Sequence, residues 1–355
     1  MRRVIIRILV FVVFALVAYL ALWPVPIAPV AWAPPQAPEL NGPYAVNDAL
    51  AKGTHLLEGI GRGPEDVAFD TLGRLYTGFE GGKIVRLRLP DGKPEVFADT
   101  GGRPLGMVFD TSGNLLVADA AKGLLSISPE GGTTVLATGV GGVPFGFLDD
   151  LDVGPDGTVY FSDASTKFGP GADTLDIIEH VGHGRLLAWN PTDHSVRTLL
   201  GGLQFANGVV ADPGGEFVLV AETGAYRLTR YWLTGRRGGT SDVFADNLPG
   251  FPDNISRAAD GRIWVPLPAP RLPVVDRLGP WPFLRKVVLR LPTSIQPAPL
   301  RYGLVVELAP DGHPIRALHD PTGGVAFRTS AMEREGTLYL GTHADPTLVA
   351  VSLAK

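Results

Sequence analysis

Short apolar segments, each followed by a turn and an alternating strand, recur along most of the chain. The turns hold glycines at positions 73, 113, 157, 215, 261 and 336, which are 40, 44, 58, 46 and 75 residues apart. A short apolar segment precedes each turn, at residues 67–69, 107–109, 151–153, 209–211, 255–257 and 325–327. Glycine, often beside aspartate, supplies the positive φ that a tight hairpin needs. Each copy therefore predicts a β-hairpin.

The spacing of these hairpins predicts the fold. A unit of about 40 to 50 residues that carries a hairpin is typical of a propeller blade. Further strands follow the turns, for example at residues 83–87 and 184–189, which gives about four antiparallel strands per blade. Six such sheets close a ring without exposed edges. We predict an all-β, six-bladed β-propeller over residues 44–355, with a β-sandwich of internal similarity as the alternative.

Two intervals exceed the period of the repeat. Residues 162–181 form a polar loop, and residues 266–302 form a proline-rich insertion with several basic and large apolar side chains. Loops of this length in a compact fold usually cover or bind something. Residues 278–291 predict a short basic amphipathic helix that covers the channel mouth, touches the membrane or binds a partner.

The N-terminus has the pattern of a membrane segment. Residues 4–23 are apolar except for Arg7, and Arg2 and Arg3 precede them. About 20 apolar residues cross a bilayer, and positive charge favours the cytoplasmic side. We predict a signal anchor over residues 1–23, with the transmembrane helix at 4–23, a cytoplasmic N-terminus and an exported remainder. A cleaved signal peptide is the alternative, and the Pro-rich residues 24–43 predict an extended linker outside the core.

Composition narrows the possible chemistry. The 355 residues include 45 glycines and 32 prolines, spread along the chain as a turn-rich β protein requires. The absence of cysteine excludes disulfides, thiolate metal sites and cysteine nucleophiles. The formal net charge is −5 and no long basic run occurs, so we expect no nucleic-acid partner.

Polar residues cluster where the innermost strands begin, and these positions converge at one channel mouth of a propeller. They are Glu65, Asp66, Leu105, Gly106, Asp149, Asp150, Asn207, Asp253, Asn254, Thr322 and Gly323. Carboxylates packed in a channel repel one another, and oxygen-only ligands suit Ca²⁺ or Mg²⁺ rather than zinc. The set predicts a calcium site, although any single Asp or Asn there also fits a simple Asx-turn.

Several motifs support a family resemblance. Phe-Leu-Asp-Asp-Leu-Asp-Val at 147–153, Phe-Ala-Asn-Gly-Val at 205–209 and Phe-Pro-Asp-Asn-Ile at 251–255 stand in the chain. From about Gly63 to its C-terminus, the chain resembles the strictosidine synthase-like family, which includes the adipocyte plasma membrane-associated proteins. The wider clan contains paraoxonases, gluconolactonases and SMP-30.

The resemblance implies ligands and an activity. It places a catalytic calcium on Glu65, Asp149, Asn207, Asp253 and Asn254, and a possible second, structural calcium on Asp66 and Asp150. It implies a calcium-dependent hydrolase of a small lactone or ester. In that reading Asp253 or Glu65 orients or deprotonates the attacking water.

The chain also departs from its clan, which keeps two other functions open. Asp149 stands where paraoxonases usually have asparagine, and Leu105 stands where they have the active-site histidine. The paraoxonase proton transfer therefore cannot be carried over. The alternatives are a non-catalytic, membrane-tethered binding propeller and a strictosidine synthase-like condensing lyase, for which Glu307 is a weak candidate acid.

Other polar residues predict structural roles. His180 and His183 follow Glu179 in an order that does not match a zinc-protease motif. We expect Asp173, Asp176 and Glu179 to be solvated loop charges. We expect Glu222 to form a buried pair with Arg227 or Arg230.

Overall fold

The computed structural model describes residues 1–90 and 92–353, and over these residues the chain forms a six-bladed β-propeller, as predicted. Residue 91 and residues 354–355, which fall within the predicted propeller range, lie outside the described residues. Each blade is a four-stranded antiparallel sheet. Because hairpins join most neighbouring strands, the glycine turns of the sequence fix most of this topology.

The first three blades follow one another along the chain. Blade one comprises β2 (Ala68–Phe69), β3 (Arg74–Gly78), β4 (Lys83–Arg88) and β5 (Glu95–Asp99). Blade two comprises β6 (Pro104–Phe109), β7 (Leu115–Asp119), β8 (Gly123–Ile127) and β9 (Thr133–Ala137), followed by a small hairpin of β10 (Gly139–Val140) and β11 (Val143–Pro144). Blade three comprises β12 (Leu148–Val153), β13 (Val159–Asp163), β14 (Gly184–Trp189) and β15 (Val196–Leu203).

The last three blades complete the ring, and the sixth takes a strand from the N-terminal side. Blade four comprises β16 (Ala206–Ala211), β17 (Phe217–Glu222), β18 (Arg227–Trp232) and β19 (Ser241–Ala245). Blade five comprises β20 (Ser256–Arg257), β21 (Ile263–Pro266), β22 (Gly303–Leu308) and β23 (Pro314–Asp320). Blade six comprises β24 (Arg328–Arg334), β25 (Thr337–Thr342), β26 (Leu348–Ser352) and the N-terminal β1 (Thr54–Leu56), which pairs with β26 and closes the ring.

The sixth innermost strand is not the one that the sequence predicts. Residues 325–327 precede it, and β24 begins at Arg328. The turn after β23 holds Thr322, whose hydroxyl donates to Asp320 at 2.6 Å, so this segment caps a strand end. Thr322 and Gly323 are therefore not the channel residues of blade six.

The hydrophobic core lies between neighbouring blades. Leu219 of β17 packs in one buried cluster with Ile263 of β21 and Leu304 of β22. Similar clusters join the other neighbouring sheets, for example Leu116 of β7 with Phe161 of β13. Burial of these apolar faces holds the blades at fixed angles and so fixes the channel at their centre.

Helices occupy both long intervals. The helix α2 (Asp173–Glu179) lies between β13 and β14, where the sequence predicts a polar loop. The insertion holds α3 (Pro273–Leu278) and α4 (Pro282–Arg290) rather than one helix over 278–291. Pro280 separates them, because proline lacks the backbone donor of a helix interior and clashes with the preceding turn.

The N-terminal helix α1 (Arg2–Leu22) has no buried residue and a mean hydropathy of 2.8 over its most apolar window. Among the described residues it is the one helix long and apolar enough to cross a membrane. The sequence predicts that the segment after α1, residues 24–43, lies outside the core, but part of it is buried against the propeller. Ile27 is buried, and the Trp32 ring stacks on His180 with centroids 3.9 Å apart.

Candidate functional site in the propeller channel

The predicted site residues all belong to segments that open the innermost strands. Glu65 and Asp66 lie just before β2, Asp149 and Asp150 lie in β12, Asn207 lies in β16, and Asp253 and Asn254 lie just before β20. All seven side chains are buried. Four blades therefore direct carboxylates and carboxamides to one end of the channel.

A repeated irregularity of the innermost strands positions these residues. The pairing register shifts between Leu148 and Leu151 of β12 and between Ala206 and Val209 of β16. β6 and β24 contain the same shift at their start. A β-bulge leaves residues unpaired and redirects their side chains. Asp149, Asp150 and Asn207 lie within these bulges, which explains how consecutive residues of one strand can both serve the channel.

Two glycines let the innermost strands approach one another. A Cβ on Gly106 would lie 2.4 Å from the Asp150 carboxylate, and one on Gly208 would lie 2.3 Å from the backbone nitrogen of Ile255. Atoms cannot stay at such distances. The missing side chains are therefore a packing requirement of the ring around the site.

The upper ring is our name for Glu65, Asp149, Asn207, Asp253 and Asn254. Its three carboxylates, those of Glu65, Asp149 and Asp253, repel one another. Burial raises the pKa of Asp149 well above its usual value, and repulsion from Glu65 adds to this. Burial and the charges of Glu65 and Asp149 likewise raise the pKa of Asp253. A hydrogen bond with Asn207 lowers the pKa of Asp253 but does not offset the burial. The upper ring is thus costly to keep ionised without a positive charge.

One positive side chain that the sequence analysis missed contacts this ring. Arg103 donates from Nη2 to Oε2 of Glu65 at 2.8 Å and from Nη1 to the Gly63 carbonyl at 2.9 Å. It lies directly before β6, at the edge of the channel rather than among the residues that open the strand. In the sequence, the available signal for Arg103 was its position directly before Pro104, where an innermost strand begins. It pairs with Glu65 and also lowers the pKa of Asp149, but it does not offset the burial of that aspartate.

Asp66 and Asp150 bridge neighbouring blades. Oδ2 of Asp66 accepts from the Met107 backbone at 2.9 Å, and Oδ2 of Asp150 accepts from the Val209 backbone at 2.8 Å. Burial raises the pKa of Asp66 to about 7, although these hydrogen bonds oppose the shift. Burial and the charge of Asp66 raise the pKa of Asp150. These two acids each accept a backbone hydrogen bond from a neighbouring blade.

Three buried amide atoms near the aspartates have no hydrogen-bond partner: Oδ1 of Asn207 and both Oδ1 and Nδ2 of Asn254. Leaving a buried polar atom unsatisfied costs about 1–3 kcal/mol. Unpaired oxygen atoms beside repelling carboxylates are the donor set that a hard cation satisfies. Within residues 1–90 and 92–353, no three acidic, histidine or cysteine side chains suffice by themselves to hold a metal ion. The amide oxygens are therefore needed in any such site.

The sixth blade contributes hydroxyl groups. Thr329 and Ser330 donate from their side chains to the Glu65 backbone carbonyl, at 2.8 and 2.9 Å. These residues fix the position of Glu65. The sequence analysis missed them because it placed the start of the strand too early.

An apolar wall lies beside the polar ring. Leu105, Phe147 and Phe205 pack in one buried cluster, and Ile177 of α2 contacts it. Asp173 of the same helix raises the pKa of Asp149 by repulsion, which also places α2 near the site. The helix thus lies at the channel mouth. Leu105, at the position of the expected histidine, packs among apolar residues.

Further along the channel, towards the hairpin turns, the innermost strands line a partly open cavity of about 140 Å³. The residues that line it include Asp66, Asp150, Asp152, Asn254 and Arg257. Burial raises the pKa of Asp152 to about 6. The acids of the site therefore border a cavity large enough for several water molecules.

Other candidate residues have structural roles. Glu307 lies in β22 and pairs with Arg262 and with Arg316, which leaves no role for it as a free acid. Glu222 pairs with Arg227 at 2.7 Å, as expected.

Two acids of α2 are not solvated, contrary to expectation. Asp176 and Glu179 are both buried. Asp176 accepts a hydrogen bond from Ser165, and Glu179 contacts Lys167 and His183.

The comparisons with known proteins agree with this architecture. The family model described as "Strictosidine synthase" matches residues 149–236, and "Strictosidine synthase-like, N-terminal" matches residues 42–87. An adipocyte plasma membrane-associated protein from Salmo salar is 37% identical over 93% of the chain and 85% of its own length.

Solved structures of low identity share the fold. A gluconolactonase from Xanthomonas campestris has a TM-score of 0.64 and 16% identity, covering 93% of this chain and 99% of that one. A calcium-binding protein, regucalcin, from Agrobacterium tumefaciens has a TM-score of 0.56 and 16% identity, covering 82% and 92%. At 16% identity, these similarities show a shared propeller fold and no more.

Proposed function

The chain belongs to the strictosidine synthase-like family that includes the adipocyte plasma membrane-associated proteins, and we propose that it is a membrane-anchored, calcium-dependent hydrolase of lactones or esters. The observation that carries the proposal is the upper ring. Its aspartates repel one another while buried, and amide atoms beside them lack partners.

Calcium suits these residues better than other cations. Glu65, Asp149, Asn207, Asp253 and Asn254 offer only oxygen atoms as metal ligands, and Ca²⁺ accepts six to eight of them in irregular geometry. Asp66 and Asp150 would hold a possible second ion. Regucalcin, which shares the fold, is called a calcium-binding protein. Bound calcium supplies Lewis acidity that polarises a carbonyl oxygen.

The remaining chemistry belongs to the side chains. Asp253, buried in the upper ring, is suited by its position to take the proton of the attacking water. Glu65, held by Arg103 and by the hydroxyl groups of blade six, is suited to orient that water. Leu105, Phe147 and Phe205 would receive the apolar part of the substrate and exclude water from it.

The membrane anchor is part of the proposal. The helix α1 would span the bilayer once, with Arg2 and Arg3 in the cytoplasm and the propeller on the exported side. The relatives are named as plasma membrane-associated proteins. The proposed partners are a small lactone or ester and the membrane, without nucleic acid.

A substrate panel tests the activity. We would assay the full-length protein in detergent micelles on lactones and aryl esters, with calcium and with EGTA. We expect hydrolysis that needs calcium and that is lost in Asp253→Asn but kept in the surface variant Asp48→Asn. Hydrolysis that is equal in EGTA, or no hydrolysis of any substrate, contradicts the proposal.

Leu105 favours a second candidate, a non-catalytic binding propeller. Its apolar packing leaves the histidine position without a proton carrier. Glu65→Gln separates the two functions. A loss of hydrolysis supports the enzyme, whereas a loss of stability with no hydrolysis in either protein supports the binding propeller.

A further inference from the structure

The anchor helix is fixed to the insertion of blade five rather than joined to it by a loose linker alone. Arg290 of α4 donates from Nε to the Trp23 carbonyl at 2.6 Å and from Nη1 to the Leu20 carbonyl at 2.7 Å. Tyr19 donates from its hydroxyl to the Arg290 carbonyl at 3.1 Å. The last carbonyls of a helix have no partner within it, and an arginine satisfies them well. The end of α1 and α4 therefore lie side by side.

The polarity of α4 is the reverse of that of an ordinary surface helix. Its Arg285 and Arg290 are buried, and Arg285 donates to the Ile178 carbonyl at 2.6 Å. Trp281, Phe283 and Leu284 at its start are 60%, 56% and 42% exposed. A helix in contact with water normally turns charge outward and apolar side chains inward. The start of α4 thus leaves apolar side chains exposed while two of its arginines are buried.

Exposed apolar side chains also lie on the two helices that contact α4. Val274 of α3 is exposed near α4, and the apolar side chains of α1 are exposed along its length. We call Val274, Trp281, Phe283 and Leu284 the apolar patch. Because α4 contacts α1, a candidate membrane span, α1 brings the bilayer to this side of the propeller, and lipid is the occupant that we infer for the patch.

We propose that the apolar patch inserts into the same bilayer as α1, so that the propeller lies against the membrane on the side of its insertion. Aromatic residues are favoured at the interface of a bilayer. Lys286 of α4 and Arg277 of α3 supply positive charge for anionic headgroups.

This orientation places the channel mouth near the membrane surface. Arg285 joins α4 to the backbone of α2, and Ile177 of α2 contacts the apolar wall of the mouth. The proposal rests on the anchor of the proposed function but not on calcium or on hydrolysis. It can therefore fail or succeed without them.

The absence of cysteine allows a direct test with the full chain. We would attach a nitroxide to single-cysteine variants in vesicles of phosphatidylcholine and phosphatidylglycerol, and measure collisions with oxygen and with a polar nickel chelate. Phe283→Cys is the test position. Val12→Cys, in α1, is the lipid reference, and Leu72→Cys, 64% exposed in the turn before β3, is the water reference.

We expect the ratio of oxygen to nickel collisions at Phe283 to exceed that at Leu72 about tenfold, since hydrocarbon excludes polar solutes. A second series carries the label at Trp281→Cys. There, adding Phe283→Glu and Leu284→Glu should lower the ratio of oxygen to nickel collisions from its value without them towards that of Leu72. Both positions are exposed, so circular dichroism should show an unchanged fold.

The references separate the possible failures. A water-like ratio at Val12 contradicts the anchor itself. A lipid-like ratio at Val12 with a water-like ratio at Phe283 contradicts only the membrane contact of the patch. Protection of Phe283 from both reagents also overturns the proposal, because a second copy or a partner protein would then cover the patch.

Discussion

Two groups of buried acids in this propeller have opposite surroundings. Asp119, Asp163 and Glu222 end the second strands of successive blades, whereas Asp149 and Asp253 belong to the channel. All are buried. The strand-end acids accept several hydrogen bonds each, and two of them pair with arginine. Asp149 and Asp253 mainly face other acids.

The contrast separates structural burial from candidate function. Asp163 accepts from the backbone nitrogens of Gly146 and Phe147, at 3.1 and 2.8 Å, and pairs with Arg185. A buried carboxylate with such partners holds a turn in place. Buried carboxylates that repel one another lower stability unless a ligand compensates. Unsatisfied burial, rather than burial alone, therefore marks the site.

The largest expected effect follows from removing a strand-end acid. Asp163→Ala leaves Arg185 and two backbone donors without their partner. Breaking a buried ion pair from one side costs about 3–5 kcal/mol. Denaturant unfolding should show a decrease of this size in the free energy of unfolding, with or without calcium. A decrease below about 1 kcal/mol would mean that these acids are not structural.

Calcium should have the next largest effect, and it should act on the channel alone. A ligand at one hundred times its dissociation constant stabilises the folded state by about 2.7 kcal/mol. Thermal unfolding should move to higher temperature with calcium and return with EGTA. The same shift should occur in Asp163→Ala, since its site is intact. An unfolding temperature that ignores calcium contradicts the contrast between the two groups.

Lower pH should stabilise the calcium-free protein. The pKa of Asp66 is raised to about 7 and that of Asp152 to about 6, so the folded state holds protons that the unfolded state releases. Stability therefore falls as pH rises from about 4 to about 7, by about 1.4 kcal/mol for each unit of raised pKa. Denaturant unfolding at pH 5 and pH 8 measures the difference. Calcium should reduce it, whereas a stability that rises with pH would contradict the assignment.

Removing an acid from the channel should raise the free energy of unfolding, whereas removing a strand-end acid should lower it, and this gain should be smaller than that loss. Asp253→Asn removes a charge from the upper ring and keeps the size of the side chain. Without calcium at pH 8 it should raise the free energy of unfolding by at least about 1 kcal/mol, since each unit of raised pKa corresponds to about 1.4 kcal/mol.

Two controls accompany this variant. Asp253→Asn should also lose the stabilisation by calcium, and a destabilised variant that still responds to calcium would count against the site. Asp48→Asn, in an exposed pair with Lys52, should change stability by less than about 0.5 kcal/mol.

The sequence predicted what depends on local signals. Six recurring glycine turns, 40 to 75 residues apart, predicted the six blades, and polar residues at the strand starts predicted the seven candidate ligands. It missed what depends on distant contacts. Arg103 meets Glu65 only because two blades are neighbours, and Glu179 is buried only because Lys167 and the backbone of Ala28 reach it.

The pattern of apolar residues also failed to predict where the innermost strand of the sixth blade begins. Residues 325–327 have the apolar spacing of an innermost strand but belong to the segment before it, because Asp320 accepts from the Val325 backbone and holds that segment in a turn. The helices of the insertion depend on prolines, which divide a pattern that reads as one helix.

Equilibrium dialysis of radioactive calcium against the full-length, EGTA-treated protein tests the central claim most directly. We predict saturable binding of at least one ion per chain, lost in Asp149→Ala and Asp253→Asn and kept in Asp48→Asn. No saturable binding, or binding that both channel variants retain, would show that the upper ring is not a calcium site.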